Sequence, residues 1–186
     1  MELTQRVRER LSQPLLRELS RAGVRAGHLT LASLVCGFGF AALWISDTHV
    51  AALGSLALHV ILDGLDGPLA RFQGRASTRG SFTDTFSDQL VVAASSFALL
   101  FTGAAVDIVV AIYVFVYTAV VCLALARNAL RIPYRWLVRP RLVVYAYIPV
   151  ETWLLPGTLD IVLWICSGVL FIELATGFTR VRRRLR

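Results

Sequence analysis

Apolar residues in this chain gather into long runs broken at near-regular intervals by short polar segments. Six such stretches can be drawn, Leu29–Ile45, His49–Ala70, Phe82–Thr102, Ile108–Ala126, Leu142–Leu155 and Leu159–Phe178. Each is near the roughly 20 residues that a helix needs to cross about 30 Å of hydrocarbon. The pattern predicts an all-α integral membrane protein of six transmembrane helices. The fifth stretch is short and carries Pro149 and Glu151, which makes its ends the hardest to place. Ahead of the first, Leu3, Val7, Leu11, Leu15 and Leu19 recur every four residues among Arg6, Arg10, Arg17 and Arg21. That periodicity predicts an amphipathic helix lying along an anionic membrane surface, bent or interrupted at Pro14.

Composition agrees with a bilayer as solvent: 56% of the 186 residues are hydrophobic. The chain has no lysine, so its net charge of +7 comes from 19 arginines against 12 acids. Those arginines fall at positions 6–25, 71–79, 127–141 and 180–186, while the connections around Asp47, Asp107 and Gly157 hold none. Because positively charged loops stay on the cytoplasmic side, six spans with both termini inside fit every arginine. The expected organisation is a basic amphipathic juxtamembrane segment over residues 1–28, a six-helix catalytic domain over 29–178 and a basic cytoplasmic tail over 179–186. The first apolar stretch follows an Arg-rich leader without a clear small-residue cleavage site and is expected to be retained. Cys36, Cys122 and Cys166 lie inside apolar runs without metal-site spacing and read as buried thiols. The bilayer is the expected macromolecular partner, and no nucleic acid is expected.

Ionisable groups at membrane depth are costly and mark function by default. Asp63 and Asp66 lie near the cytoplasmic end of the second stretch, and Asp84 and Asp88 at the start of the third. Spacings of three and four put each pair on one helical face. The faces continue through small residues: Asp63, Asp66, Gly67 and Ala70 follow i, i+3, i+4, i+7, and Gly80, Asp84 and Asp88 follow i, i+4, i+8. If the two helices are antiparallel neighbours, four acids converge on one cavity. Clustered carboxylates repel in a low dielectric, so the arrangement calls for cations between them. Oxygen-only ligands suit Mg²⁺ or Mn²⁺.

The run Asp63-x-x-Asp66-Gly67-x-x-Ala70-Arg71, then eight residues, then Gly80-x-x-x-Asp84-x-x-x-Asp88 resembles the signature of the CDP-alcohol phosphotransferases at every fixed position. Eight identities at fixed spacing would arise by chance on the order of once in ten billion starting points. The short chain and six spans resemble the phosphatidylglycerophosphate and inositol-phosphate branches. Upstream, many members have Pro-Asn shortly before a Thr, where this chain reads Gly27-His28-Leu29-Thr30.

The resemblance implies that an alcohol hydroxyl attacks the β-phosphorus of a CDP-linked donor and CMP leaves. It implies two divalent cations, Mg²⁺ or Mn²⁺, held by Asp63, Asp66 and Asp84, with Asp88 as general base and a further metal contact. Gly67, Ala70 and Gly80 would leave room for the cytidine, Arg71 would offer a guanidinium fork to the diphosphate, and Ser77 would contact the donor. It further implies a homodimer.

Arg127, Arg131, Arg135, Arg139 and Arg141 are more than topology requires. They form either a phosphate site for a phosphorylated alcohol, with Arg127, Arg131 and Arg141 as the candidates, or a collar for anionic lipids. His59 reads as a packing or hydrogen-bonding residue one turn before Asp63, and Glu173 as a candidate for lining the acceptor pocket. The leading expectation is transfer from a CDP-diacylglycerol-like lipid to a small polar alcohol. The alternatives are CDP-choline or CDP-ethanolamine transfer onto diacylglycerol and, in a different class, a divalent-cation transporter.

Overall fold

The computed structural model describes residues 13–130 and 139–184, and among them every regular element is an α-helix. Residues 13–21 form α1. It is followed by α2 (Ala26–Ile45), α3 (His49–Phe72), α4 (Thr78–Phe101), α5 (Asp107–Ala129), α6 (Pro140–Trp153) and α7 (Leu159–Arg184). Helices α2 to α7 fall one for one on the six apolar stretches. Each runs a few residues past the apolar limit at one end or both because backbone hydrogen bonding continues into the polar flanks, as in α7, whose final turns carry Arg180 to Arg184. By contrast, α4 and α6 stop at Phe101 and Trp153, just short of the expected C-terminal limits.

Turn chemistry sets the breaks. After α3, Gly74 takes a left-handed φ of 63°, and the Gly74 and Arg75 amides close back onto Arg71 and Ala70 at 3.0 and 2.9 Å. Glycine is the residue that adopts this conformation without steric cost. The chain then starts α4 at Ser77, whose hydroxyl accepts from the Gly80 amide at 3.1 Å.

Four helices, α2, α3, α5 and α7, are long and apolar enough to cross a membrane. The other two differ from expectation for physical reasons. Helix α4 has 24 residues, but its first half is diluted by Arg79, Thr83, Asp84, Thr85, Asp88 and Gln89. Helix α6 has 14 residues, a rise of about 21 Å.

Both α3 and α4 pack most extensively on α2, so the two acidic helices converge across α2 instead of pairing with each other. Gly37 permits this approach, since a Cβ there would land on Val91 of α4. Helix α5 packs on α7 and α4, and α6 on α7 with a lighter contact to α3. Phe40, Trp44, Val91, Tyr113, Ile148 and Leu170 belong to the shared core. Large apolar residues also cover the outside, among them Val35, Val50, Phe97, Phe101, Phe115, Trp164 and Ile172. A water-soluble monomer does not carry so much exposed apolar surface, whereas lipid solvates it. Cys122 belongs to this exposed surface and Cys36 is only half-buried, so of the three thiols Cys166 alone is buried as expected.

Glu151 has a structural task. Its carboxylate accepts from the Gly157, Thr158 and Leu159 amides at 2.5, 2.9 and 2.6 Å, satisfying donors at the start of α7 that have no partner in the helix. At the other end of the bundle, Leu16 of α1 packs on Leu29 and Leu69. Gln73 donates to the Val24 carbonyl at 2.8 Å, holding the α1–α2 connection over the end of α3. The remainder of the expected interfacial helix, residues 1–12, lies outside the described residues.

Candidate active site

The helical registers bring three of the four acids together. Asp63, Asp66 and Asp84 each direct a carboxylate oxygen into one cluster whose atoms lie within 4.8 Å of one another. At an effective dielectric of about 20, each pair of full charges at that separation repels by about 3.5 kcal/mol. Three hard oxygen donors drawn from two helices match the ligand preference of Mg²⁺ or Mn²⁺, so the donor set fits a divalent cation.

Asp88 stands outside this cluster, one helical turn beyond Asp84. Its carboxylate is paired with Arg141 of α6. The same guanidinium donates through Nη2 to Asp63 Oδ2 at 2.8 Å, so Arg141 ties α3, α4 and α6 together. On the opposite flank Thr30 of α2 donates its hydroxyl to Asp66 Oδ2 at 2.7 Å. A carboxylate held in this way keeps a fixed orientation toward its neighbours.

Two cavities meet at the acids. The larger, about 460 Å³, is lined by Asp66 and Asp84 and by all five residues expected to contact a CDP donor, Gly67, Ala70, Arg71, Ser77 and Gly80. Ser77 lines this space while its hydroxyl caps α4. Arg25, Arg75 and Arg79 add further guanidinium groups, and Thr30 completes the wall beside Asp66. The smaller cavity, about 250 Å³, is lined by Ser81, Asp84, Thr85, Asp88, Tyr117, Val121, Arg139 and Arg141. Asp84 and Ser81 face both cavities, which places the carboxylate cluster at their junction.

The arginines expected for an acceptor separate. Arg141 is in the smaller cavity, together with Arg139. Arg127 is buried between α5 and α7, where a Cβ on Gly177 would come within 3.6 Å of its Nη1, and it does not line this cavity. Arg131 and Arg135 lie outside the described residues. His59 is spent on packing: its Nδ1 lies 2.8 Å from the Ser33 hydroxyl, joining α3 to α2. Glu173 lines neither cavity.

Thr30 and Tyr117 are site residues that the spacing of the acids did not reveal. Thr30 had a usable signal, since it stands at the Thr position of the upstream turn. Tyr117 had none, because a lone tyrosine in an apolar run reads as core.

Comparison with known proteins finds similar sequences and similar folds. The family model described as CDP-alcohol phosphatidyltransferase matches residues 24–179. An archaetidylinositol phosphate synthase of Aeropyrum pernix is 40% identical over 72 residues, which cover 39% of this chain and 37% of that relative. The match therefore spans little more than a third of that relative's length. Among solved structures, the phosphatidylinositol phosphate synthase of Mycobacterium tuberculosis with CDP-DAG bound superposes with a TM-score of 0.76 at 21% identity, covering 91% of this chain and 92% of the other. The same enzyme in complex with manganese and citrate gives 0.75 at 19% identity over 89% and 86%.

Proposed function

Taking as premise that the chain belongs to the CDP-alcohol phosphatidyltransferase family, we propose that it transfers a phosphatidyl-type group from a CDP-linked lipid to a small polar alcohol, with release of CMP. The observation that carries the proposal is the position of the carboxylate cluster, at the junction of a donor-sized cavity and a smaller, strongly polar one.

Asp63, Asp66 and Asp84 would hold two divalent cations, Mg²⁺ or Mn²⁺, with Asp88 as a further contact. Those ions supply charge neutralisation at the diphosphate and at the entering and leaving oxygens. The chain's own groups do the rest. Gly67, Ala70 and Gly80 leave the larger cavity open against the helix backbones, which gives the cytidine room. Arg71 presents a planar fork to the diphosphate, and Ser77 closes the same wall. In the smaller cavity Asp88 receives the proton of the acceptor hydroxyl as its oxygen attacks the β-phosphorus, and the phosphoanhydride bond to CMP breaks. Holding both reactants across one junction converts the encounter into an oriented step.

The lining of the smaller cavity favours a polar acceptor. Of its eight residues only Val121 lacks a polar side-chain atom. That surface suits a polyol and, through Arg139 and Arg141, a phosphate on it; the inositol phosphate chemistry named for the two relatives is of this kind. It does not suit diacylglycerol. All four acids lie in the C-terminal half of α3 and the N-terminal half of α4 instead of being spread over the full length of the helices, which argues against an ion path.

We assign six spans, counting α4 and α6, with both termini and the active site on the cytoplasmic side. The arginine distribution supports this orientation. A homodimer in the bilayer is the assembly proposed on family grounds. The test is a donor swap with purified protein: CDP-diacylglycerol with glycerol 3-phosphate or an inositol phosphate should release CMP, and CDP-choline with diacylglycerol should not. The reverse preference would overturn the assignment of donor and acceptor.

A further inference from the structure

The α3–α4 turn and the start of α2 bring three arginines from outside the acidic motif to one place. Closure of the Gly74 and Arg75 amides onto Arg71 and Ala70 sets Arg75 in the turn. The Ser77 cap then starts α4, so that Arg79 falls in its first turn. Arg25 is the residue before α2. All three are exposed and line the larger cavity. Among the described residues none of their guanidinium groups is paired with a carboxylate, whereas Arg21 is held by Glu18 and Arg141 by Asp63. Ala26, Gly27, Gly80 and Ser81 line the same space, so the first turns of α2 and α4 both border it. Neither of those turns carries an acid. Their backbone amides add positive potential to that of the arginines.

Each phosphorus of a CDP-lipid carries a single charge and is tied up in ester and anhydride bonds. The phosphate of CMP is a monoester, with three terminal oxygens and a charge of about −1.5 to −2 at neutral pH. A guanidinium fork engages such a group in bidentate fashion. Three unpaired forks beside the nucleotide therefore favour the product over the donor. We propose that Arg25, Arg75 and Arg79 hold CMP by its phosphate after transfer, which slows its release and makes CMP a product inhibitor. This rests on the reading above of the larger cavity as the nucleotide side. A phosphate on the acceptor would instead meet Arg139 and Arg141, which line the smaller cavity.

The experiment is inhibition of lipid-product formation by added CMP and by cytidine, together with calorimetric titration of CMP into Mn²⁺-loaded protein. Arg25→Gln, Arg75→Gln and Arg79→Gln should each weaken CMP binding about two- to fivefold, the effect of losing an exposed charge pair. The Arg75→Gln/Arg79→Gln double variant should lose about four- to 25-fold if the two act independently. The donor KM should rise by less than the CMP constant. Inhibition by cytidine, which lacks the phosphate, should stay as in wild type. Arg75→Lys should recover part of the affinity lost in Arg75→Gln, because it keeps the charge without the fork. Variants that bind CMP as wild type does overturn the proposal. So does an equal loss of CMP and cytidine, which would mean that the arginines only shape the cavity. A raised acceptor KM with unchanged CMP binding overturns it too, by moving the arginines to the acceptor. Wild type that binds CMP but transfers nothing to any alcohol would overturn the underlying reading, and with it the role of CMP as product.

Discussion

Replacing Asp84 by Asn separates the energetic role of the carboxylate cluster from its chemical one. Asp84 shares the cluster with Asp63 and Asp66, with oxygens within 4.8 Å. Removing its charge deletes two repulsive pairs of about 3.5 kcal/mol each at an effective dielectric of about 20. The site opens onto two cavities, so solvent screening reduces the gain to about 1–3 kcal/mol. At about 2–4 °C per kcal/mol for a chain of this size, Asp84→Asn in EDTA should melt several degrees above wild type in detergent. With Mn²⁺ the order should reverse, because wild type gains binding energy that the variant has lost. Transfer activity should fall by at least about a hundredfold. The assay is thermal unfolding in EDTA and across a Mn²⁺ titration, together with CMP release. A variant that is less stable than wild type in EDTA, or that keeps the full Mn²⁺ response, would refute the reasoning.

Other sites give independent checks. Glu151→Ala removes the acceptor for three amides at the start of α7; it should cost about 1–3 kcal/mol in thermal unfolding and leave both KM values unchanged. Arg139→Gln, at an exposed edge of the smaller cavity, should raise the KM of a phosphorylated acceptor about three- to tenfold with little change for the donor. Asp88→Asn should abolish transfer but retain more Mn²⁺ and CDP binding than Asn at Asp63, Asp66 or Asp84, measured by isothermal titration. Cysteine-labelling reporters at Gly74 and near Asp107 should report opposite sides of the membrane, cytoplasmic for the first.

Much of the molecule was legible because lipid imposes a simple rule, that each span must satisfy its own backbone hydrogen bonds along an apolar run. The six helices and the two acidic faces follow from it. Residues at i, i+3 and i+4 share a face whatever surrounds them, so Asp63 with Asp66, and Asp84 with Asp88, could be paired before any fold was known. Relations between distant elements were not legible in the same way. Nothing in the spacing distinguishes Arg141, which reaches Asp63 and Asp88, from Arg127, which is buried against α7; only the packing of α5 and α6 decides. Glu151 stands in an apolar run, and the amides it accepts from lie at the start of the next helix, a pairing that the sequence does not signal. The convergence of α3 and α4 across α2 depends on Gly37 and Val91, a contact between helices whose sequences carry no shared signal.

The central claim is that a hydroxyl in the smaller cavity attacks the phosphorus of a donor held in the larger one. Isotopic labelling tests it most directly. The acceptor that supports CMP release, glycerol 3-phosphate or an inositol phosphate, is supplied with ¹⁸O in its hydroxyl, and the products are weighed by mass spectrometry. Attack at phosphorus places the label in the new phosphodiester of the lipid and leaves CMP unlabelled. Label absent from the lipid product, or found in CMP, would contradict the mechanism and the assignment of the two cavities.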